Sequence, residues 1–178
     1  MPGYEVSLLG PEDMGEIATF FRVPQEKLVA RLEEGNRCFG LRSDGKLVAI
    51  SWCDLRRFRH HNVFPLEENE AYLYDAYTLR TTRGRDIAPY LRFKTYQELQ
   101  KLGCTRCYSY TDYFNKAAMK FKLKLNARRI VLRLEITLAG KWSWIRTLRK
   151  YNFPEDHPLR ERIERGFALR KVCKESNT

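Results

Sequence analysis

The segment 83–88, Arg-Gly-Arg-Asp-Ile-Ala, has the residue types and the neighbours of an anion-binding turn. It follows residues 72–79, whose aromatic and aliphatic side chains predict a strand, and it precedes a predicted helix over residues 89–103. The first amides of a helix have no acceptor within the helix, and the helix dipole adds positive potential there. Pro89 suits the first helical turn because it removes an amide that would be unpaired anyway. The sequence therefore predicts that an anion binds at this turn.

The other predicted elements place this turn within a mixed α/β domain over residues 1–140. They are a strand at 4–9, helices at 11–21 and 23–33, a hairpin of strands 37–42 and 46–54, a strand at 104–111, a helix at 115–125 and a strand at 129–138. Ser43-Asp44-Gly45 supplies the hairpin turn. Residues 55–69 have no regular pattern and are expected to form a mobile substrate loop. A basic extension over residues 141–178 is expected to contain helices at 142–151 and 159–172.

Length and charge limit the classes of partner. The 178 residues suffice for one substantial core and are few for two. The net charge is +11, yet residues 1–70 hold 9 Lys/Arg against 12 Asp/Glu, while residues 71–178 hold 24 against 10. The basic part attracts anions, and charge alone does not choose between CoA, nucleic acid, a phosphorylated substrate and a membrane surface.

The sequence predicts neither a membrane span nor a metal site. No apolar run approaches 18 residues, and the N-terminus lacks the pattern of a signal peptide. The five cysteines lack the spacing of a disulfide framework, which predicts reduced thiols and a cytoplasmic protein. Cys104 and Cys107 have one C-x-x-C spacing without a second pair, and His60 and His61 lack a third ligand.

The turn at 83–88 resembles the signature of the GNAT superfamily of acyl-CoA-dependent N-acetyltransferases, which is Arg/Gln-x-x-Gly-x-Gly/Ala between a strand and a helix. Arg83 occupies the first position and Ala88 the last, whereas Asp86 stands where the family has its middle glycine. A second segment, 115–127, looks like the family's Asn-x-x-Ala and Tyr-x-x-Leu-Gly-Phe pattern. The likeness extends over roughly residues 36–137.

The second segment matches the family pattern in part. Asn115, Ala118 and Leu125 are in place, whereas Lys122, Asn126 and Ala127 replace the Tyr, Gly and Phe of the family. Asn126 is a mild change because Asn tolerates the left-handed conformation. Lys122 is a larger change, because the tyrosine that it replaces often serves the family as general acid.

The resemblance implies direct transfer of an acyl group from acetyl-CoA or another acyl-CoA to an amine. It also implies a largely antiparallel sheet of six or seven strands, with pantetheine between two splayed strands on the backbone of residues 76–79. The residues implied to bind acyl-CoA are Tyr77, Thr78, Leu79, Arg83, Gly84, Arg85, Asp86, Ile87, Ala88, Asn115 and Lys122. A main-chain amide near Thr78 is expected to face the thioester carbonyl. Lys122 is expected to be solvated or to face a CoA phosphate rather than to donate a proton, and a homodimer is compatible with the resemblance.

Two rows of tyrosines with identical spacing, Tyr72/Tyr74/Tyr77 and Tyr108/Tyr110/Tyr113, belong to the two strands that should splay. Residues two apart in a strand share a face, so the rows can form one aromatic wall, either as plain sheet packing or as an acceptor pocket. In the second case Tyr110 is the first candidate for proton donor to the leaving thiolate.

The carboxylate candidates for catalysis are Asp75 and Asp112. Asp75 is a general base or, as the favoured alternative, an edge or bulge residue paired with an arginine. For Asp112, a cap or Asx-turn on the following helix competes with catalysis.

Asp86 also supports a function of another class. A carboxylate in the phosphate loop, together with Lys122, is compatible with a degenerate fold that binds CoA poorly and holds nucleic acid or an acidic partner on its basic C-terminal helices. Against this, no recognised nucleic-acid motif is present. We expect CoA to bind, with Asp86 turned away from the diphosphate and available to cap the following helix.

Overall fold

A computed structural model gives the structure of the chain and describes residues 3–59, 63–138 and 142–151. By its internal contacts the chain divides into two compact units, Met1–Leu125 and Asn126–Thr178. The strands of the first unit are β1 (Tyr4–Leu9), β2 (Arg37–Ser43), β3 (Lys46–Asp54), β4 (Arg57–Arg59), β5 (Val63–Pro65), β6 (Glu70–Thr78) and β7 (Arg106–Tyr108). Its α-helices are α1 (Met14–Phe21), α2 (Gln25–Glu33), α3 (Ile87–Lys101) and α4 (Lys116–Lys124), with 3-10 turns at Pro11–Asp13 and Arg80–Thr82.

Five of these strands form one sheet in the order β1-β2-β3-β6-β7. Neighbouring strands are antiparallel except β6 and β7, which run parallel. The mixed α/β class and the largely antiparallel sheet are thus confirmed, although one sheet of six or seven strands is not found among the described residues. The loop predicted at 55–69 contains a separate hairpin of β4 and β5, so the expectation of irregular structure there is wrong in part.

The hairpin of β2 and β3 forms as predicted. Asp44 and Gly45 both have positive φ, at 50° and 76°. Two such residues in succession are what a tight hairpin turn requires, because this turn matches the twist of the strands that it joins. The turn brings β3 into the centre of the sheet, where all residues after Lys46 are buried.

The sheet is covered by helices on both faces. On one face, α1 and α2 pack Met14, Ile17 and Leu28 against side chains that include Ile50 and Trp52. On the other face, α3 packs its apolar stripe against the same strands; the stripe and its partners include Ile87, Leu91, Leu99, Leu41 and Leu73. β3 after Lys46 and the first four residues of β6 are buried, so the core fixes where β6 lies in the sheet, whereas Asp75 and Ala76, nearer the turn, are exposed.

The second unit contains an antiparallel hairpin of β8 (Val131–Leu138) and β9 (Trp142–Lys150). The predicted helix at 142–151 is therefore wrong. Ile145 and Thr147 alternate with other residues at the period of a strand, a signal that the density of Arg and Lys obscured. The predicted boundary at residue 140 falls between these paired strands, and the predicted helix at 159–172 lies outside the described residues.

Candidate active site

The pairing of β6 with β7 ends early and leaves a gap. The parallel register includes only three pairs, of which Tyr72 with Tyr108 is the last. β6 continues to Thr78, and no other described strand pairs with that edge of it. The backbone of β6 beyond Tyr72 is thus open on one side. This is also why the strand predicted at 104–111 shortens to Arg106–Tyr108.

A β-bulge lies at the middle of the open edge. Ile50 of β3 pairs with Tyr77 and Trp52 pairs with Tyr74, so β6 holds one residue more than its partner between these pairs. Asp75 has a φ of 43°, and its carboxylate accepts a hydrogen bond of 2.8 Å from Arg31. Asp75 is therefore a bulge residue paired with an arginine, as the favoured alternative to a general base expected.

Beyond the bulge, the backbone groups of β6 divide between the two edges. The amide of Leu79 donates to the carbonyl of Val48 at 2.9 Å, so it is engaged with β3 and does not face the gap. Successive strand residues point their backbone groups to opposite edges, so the amide of Thr78 faces the gap. The carbonyl of Thr78 accepts a hydrogen bond of 3.1 Å from Nε of Arg83. The guanidinium of Arg83 also lies 5.9 Å from the ring centroid of Tyr77.

The turn after β6 leads into the start of α3, where backbone amides are free. Gly84 has a φ of 82°, and α3 begins at Ile87. Pro89 has no amide hydrogen, and the amide of Tyr90 already donates to the carbonyl of Asp86 at 3.0 Å. The first helical amides available to a ligand are therefore those of Ile87 and Ala88. Arg85 is exposed beside them.

Asp86 occupies a left-handed position directly before α3, with a φ of 55°. This backbone conformation explains why the family signature has glycine here. The carboxylate makes no cap on α3, so the expected capping role is wrong. It instead forms an ion pair of 2.5 Å with Lys124 of α4. The pair offsets the negative charge that Asp86 brings to the turn.

Of the predicted aromatic wall, the structure shows a stack on β6 formed by Tyr72 and Tyr74, which Trp52 of β3 extends. The rings of Tyr72 and Tyr74 stack at 5.6 Å with an interplanar angle of 11°, and Trp52 continues the stack at 6.3 Å from Tyr74. The hydroxyl of Tyr108 is buried and donates to Glu70 at 2.7 Å. Burial, with smaller effects of Asp75 and Tyr110, raises the pKa of Tyr72 to about 12. Trp52 was missed because an aromatic residue within an apolar run looks like ordinary core.

Tyr110 follows the last residue of β7 by two positions and is 42% exposed. The main chain of this segment holds Lys122: the ammonium donates to the carbonyl of Tyr110 at 3.0 Å and also to Oγ1 of Thr111. Lys122 is half-buried, not a fully solvated lysine. Burial and, next in size, the charge of Arg92 lower the pKa of Lys122 to about 8.

Arg92 of α3 is a neighbour that the sequence analysis missed. Its side chain is 4% exposed, and its guanidinium lies 5.9 Å from the ring centroid of Phe121. Arginines in helices usually face solvent, so the residue type gave no signal. Its spacing to Thr95 and Leu99, which continue the buried stripe of α3, is the signal that could have found it.

The start of α4 is capped by Asn115, whose Oδ1 accepts the amide of Ala118 at 3.0 Å. The sequence offered Asp112 as a cap of this helix, but the capping side chain is that of Asn115. Asp112 contributes its carbonyl to the amide of Asn115 at 3.0 Å, and its own side chain is exposed.

No group of three or more potential metal ligands occurs within the described residues. Cys38, Cys53, Cys104 and Cys107 are free thiols. Among the described helices, none is long and apolar enough to cross a membrane.

Comparison with known proteins agrees with this geometry. A search of curated protein sequences finds no match. Among solved structures, an aminoglycoside acetyltransferase from an uncultured soil metagenomic sample, in complex with sisomicin, is 18% identical, with a TM-score of 0.60 over 76% of this chain and 97% of that one. The aminoglycoside N-acetyltransferase AAC(6')-Iy, bound to a bisubstrate analogue of CoA and acetylneamine, is 15% identical, with a TM-score of 0.59 over 72% of this chain and 95% of that one.

A third structure, the ribosomal-protein-alanine N-acetyltransferase of Brucella melitensis biovar Abortus 2308, is 16% identical, with a TM-score of 0.53 over 68% of this chain and 90% of that one. At these identities the likeness is one of fold. The model of the acetyltransferase (GNAT) family matches residues 10–126, which include the open strand β6, the turn at 83–88 and α4. The chain therefore belongs to the GNAT family of acetyltransferases.

Proposed function

We propose that this N-acetyltransferase moves an acetyl or another acyl group from acyl-CoA directly to an amine within the gap between β6 and β7. The observation that carries the proposal is the edge of β6 that is open beyond the last pair, Tyr72 with Tyr108, and that leads to a turn with free helix amides. A thin extended chain such as pantetheine can add hydrogen bonds to the open edge of a strand. The helix start beyond it suits a diphosphate.

The cofactor placement follows from these contacts. Pantetheine would run along β6 and meet the outward amide of Thr78, while the diphosphate would lie on the amides of Ile87 and Ala88. Arg83 is anchored through Nε to the carbonyl of Thr78, which leaves its other nitrogens for the diphosphate. Asn115 uses Oδ1 for its cap and retains its amide nitrogen for pantetheine.

The reaction needs a neutral amine, an oxyanion site and a proton for sulfur. The amide of Thr78 is proposed to stabilise the oxyanion that forms when the amine attacks the thioester carbonyl. Tyr110, which follows the end of β7 and acts on the pKa of Tyr72, and Lys122, which donates to the carbonyl of Tyr110, are the candidate proton donors. Asp112, exposed at the same end, remains the candidate base for the amine, whereas Asp75 could act only if its ion pair with Arg31 opened.

The acceptor is assigned only as an amine. Two of the structural neighbours are aminoglycoside acetyltransferases and the third is a ribosomal-protein-alanine acetyltransferase, so a fold of this kind serves both small amines and peptides. A panel of sisomicin, a peptide with N-terminal alanine and a simple polyamine, followed by release of CoA thiol, would name the class.

The first prediction tests the cofactor placement. Arg83→Glu places a negative charge beside the proposed diphosphate and should weaken acetyl-CoA binding at least tenfold, as measured by calorimetry. Arg80→Glu is the matched control, because it changes the charge equally at an exposed position of the same turn. Equal affinity of both variants and the unaltered protein would contradict the placement. Salt-sensitive retention on heparin without any CoA binding would instead favour the degenerate, nucleic-acid-binding alternative.

A further inference from the structure

Arg92 is a buried cation without an anionic partner. It is 4% exposed, its Nη1 has no hydrogen-bond acceptor, and no carboxylate within the described residues forms an ion pair with it. The titratable groups near it are Tyr96 on the same helix, Cys107 on β7 and Cys53 on β3. Burial raises the pKa of each of these, to about 11 for Cys107 and about 12 for Cys53, so all are neutral near pH 7.

A second cation, Lys122, lies beside it on α4. Its neighbour Phe121 lies against the guanidinium of Arg92, and the charge of Arg92 acts on the ammonium of Lys122. Two of the three ammonium donors are used, by the carbonyl of Tyr110 and by Thr111. One donor remains for a ligand. Lys122 contacts the main-chain carbonyl of Tyr110, and Arg92 is the charged group that acts on the ammonium of Lys122. No ion pair between Lys122 and a carboxylate is found among the described residues.

Two adjacent, half-buried or buried cations without counter-ions are costly in the free protein. Burial and a like charge both favour the neutral amine of Lys122 over the ammonium. The arrangement becomes favourable when negative charge appears nearby, because the low dielectric strengthens that attraction as well. In the proposed reaction such charge appears at the sulfur of CoA when the carbon–sulfur bond breaks.

We propose that Lys122 is the proton donor to the departing thiolate of CoA and that Arg92 is the residue that tunes it. This inference rests on the proposed acyl transfer. The amine nitrogen forms a bond to the thioester carbon, and the tetrahedral intermediate then collapses. The carbon–sulfur electron pair passes to sulfur, the ammonium of Lys122 gives its proton to that sulfur, and the proton lost by the acceptor amine passes to solvent. Lys122 is restored by taking a proton from water.

The pKa of Lys122 and the pKa of a thiol are close to each other and to neutral pH. A thiol has an ordinary pKa near about 8.5. General acid catalysis is most effective when donor and acceptor are matched near the working pH, and a lysine with its pKa lowered to about 8 meets that condition. Lys122 is then the proton donor to the thiolate, the role for which Tyr110 was the first candidate in the sequence.

The test is the pH dependence of turnover in matched variants. Lys122→Arg keeps the charge but holds its proton too tightly, and it should lower kcat about a hundredfold with acetyl-CoA affinity changed less than about threefold. Lys120→Arg, on the exposed face of the same helix, is the control and should leave kcat unchanged. Lys122→Tyr restores a donor and should recover part of kcat, with its alkaline limb at higher pH. Tyr110→Phe should lose less than tenfold.

Arg92→Met tests whether the charge of Arg92 lowers the pKa of Lys122, since methionine fills a similar space without a charge. Removing the like charge should raise the pKa of Lys122, which is about 8 in the unaltered protein, so the alkaline limb of kcat should move to higher pH. A second readout does not need turnover: after reductive ¹³C-methylation, the Lys122 resonance should titrate near pH 8, and Arg92→Met should raise that midpoint. A protein that does not bind acetyl-CoA at all contradicts the proposed function. Bound cofactor and turnover with full activity of Lys122→Arg, or an unshifted titration in Arg92→Met, overturns this inference.

Discussion

At the scale of single residues, Asp86 shows how a departure from a family pattern is accommodated. Its backbone is left-handed, with a φ of 55°, which is strained for most side chains and tolerated by Asp. Its side chain pairs with Lys124 and is 59% exposed. The turn at 83–88 therefore has a left-handed residue without the glycine of the family signature, and the added charge has a partner on α4.

This arrangement predicts different free energies of unfolding for two substitutions of Asp86. Asp86→Gly removes the ion pair but also the backbone strain, whereas Asp86→Ala removes the ion pair and keeps the strain. The glycine variant should be more stable than the alanine variant by about 1 kcal/mol in urea unfolding. Acetyl-CoA affinity should stay within a few-fold of the unaltered protein in Asp86→Gly. A gain of two or more orders of magnitude would mean that the native turn repels its cofactor.

At the scale of elements, α4 connects the cap at Asn115 with Lys122, the proposed proton donor. Asn115 caps the helix through Ala118, and one turn further on the helix presents Phe121 and Lys122 to Arg92. A frayed helix start would loosen the contact of Lys122 with Tyr110 and Thr111.

Asn115→Ala should therefore lower the free energy of unfolding by about 1 kcal/mol and also reduce kcat. Asn115→Asp keeps a capping oxygen and loses the amide nitrogen, so it should retain the stability while weakening acyl-CoA binding. Thermal unfolding and calorimetry on the two variants separate the two functions of this side chain. Equal stability of all three proteins would show that the cap does not stabilise the helix.

The elements also show which features the sequence could predict. The hairpin at Asp44 and Gly45 was readable because its turn chemistry is local. β9 was misread because its alternation is carried by Ile145 and Thr147 amid Arg and Lys, and only pairing with β8 decides the period. Arg92 was missed although it continues the spacing of Thr95 and Leu99, because the burial of an arginine depends on how α3 packs against its neighbours. Local chemistry is thus predictable, whereas contacts between distant elements are not.

At the scale of the whole molecule, the positive charge is concentrated in residues 71–178, which hold 24 Lys/Arg against 10 Asp/Glu. This part of the chain contains the turn at 83–88. Arg80, Arg83 and Arg85 are exposed at or beside this turn, where the diphosphate is proposed to bind. Positive charge at such a site raises the local concentration of anionic ligands, and salt screens that effect. The screening length falls from about 10 Å at 0.1 M salt to about 3 Å at 1 M.

The KM for acetyl-CoA should therefore rise several-fold between about 0.05 M and 0.5 M NaCl, while kcat changes little. Acetyl-pantetheine is the matched control substrate, because it carries the same thioester without the phosphates. Its KM should be higher at low salt, since it lacks the phosphates that are proposed to contact Ile87, Ala88 and Arg83, and its KM should hardly respond to salt. If the KM of both substrates depends equally on salt, the basic residues do not act by attracting the phosphates. The screened charges would then act on the acceptor or on the stability of the fold. Steady-state kinetics with the two thioesters at a fixed acceptor concentration decides between these outcomes.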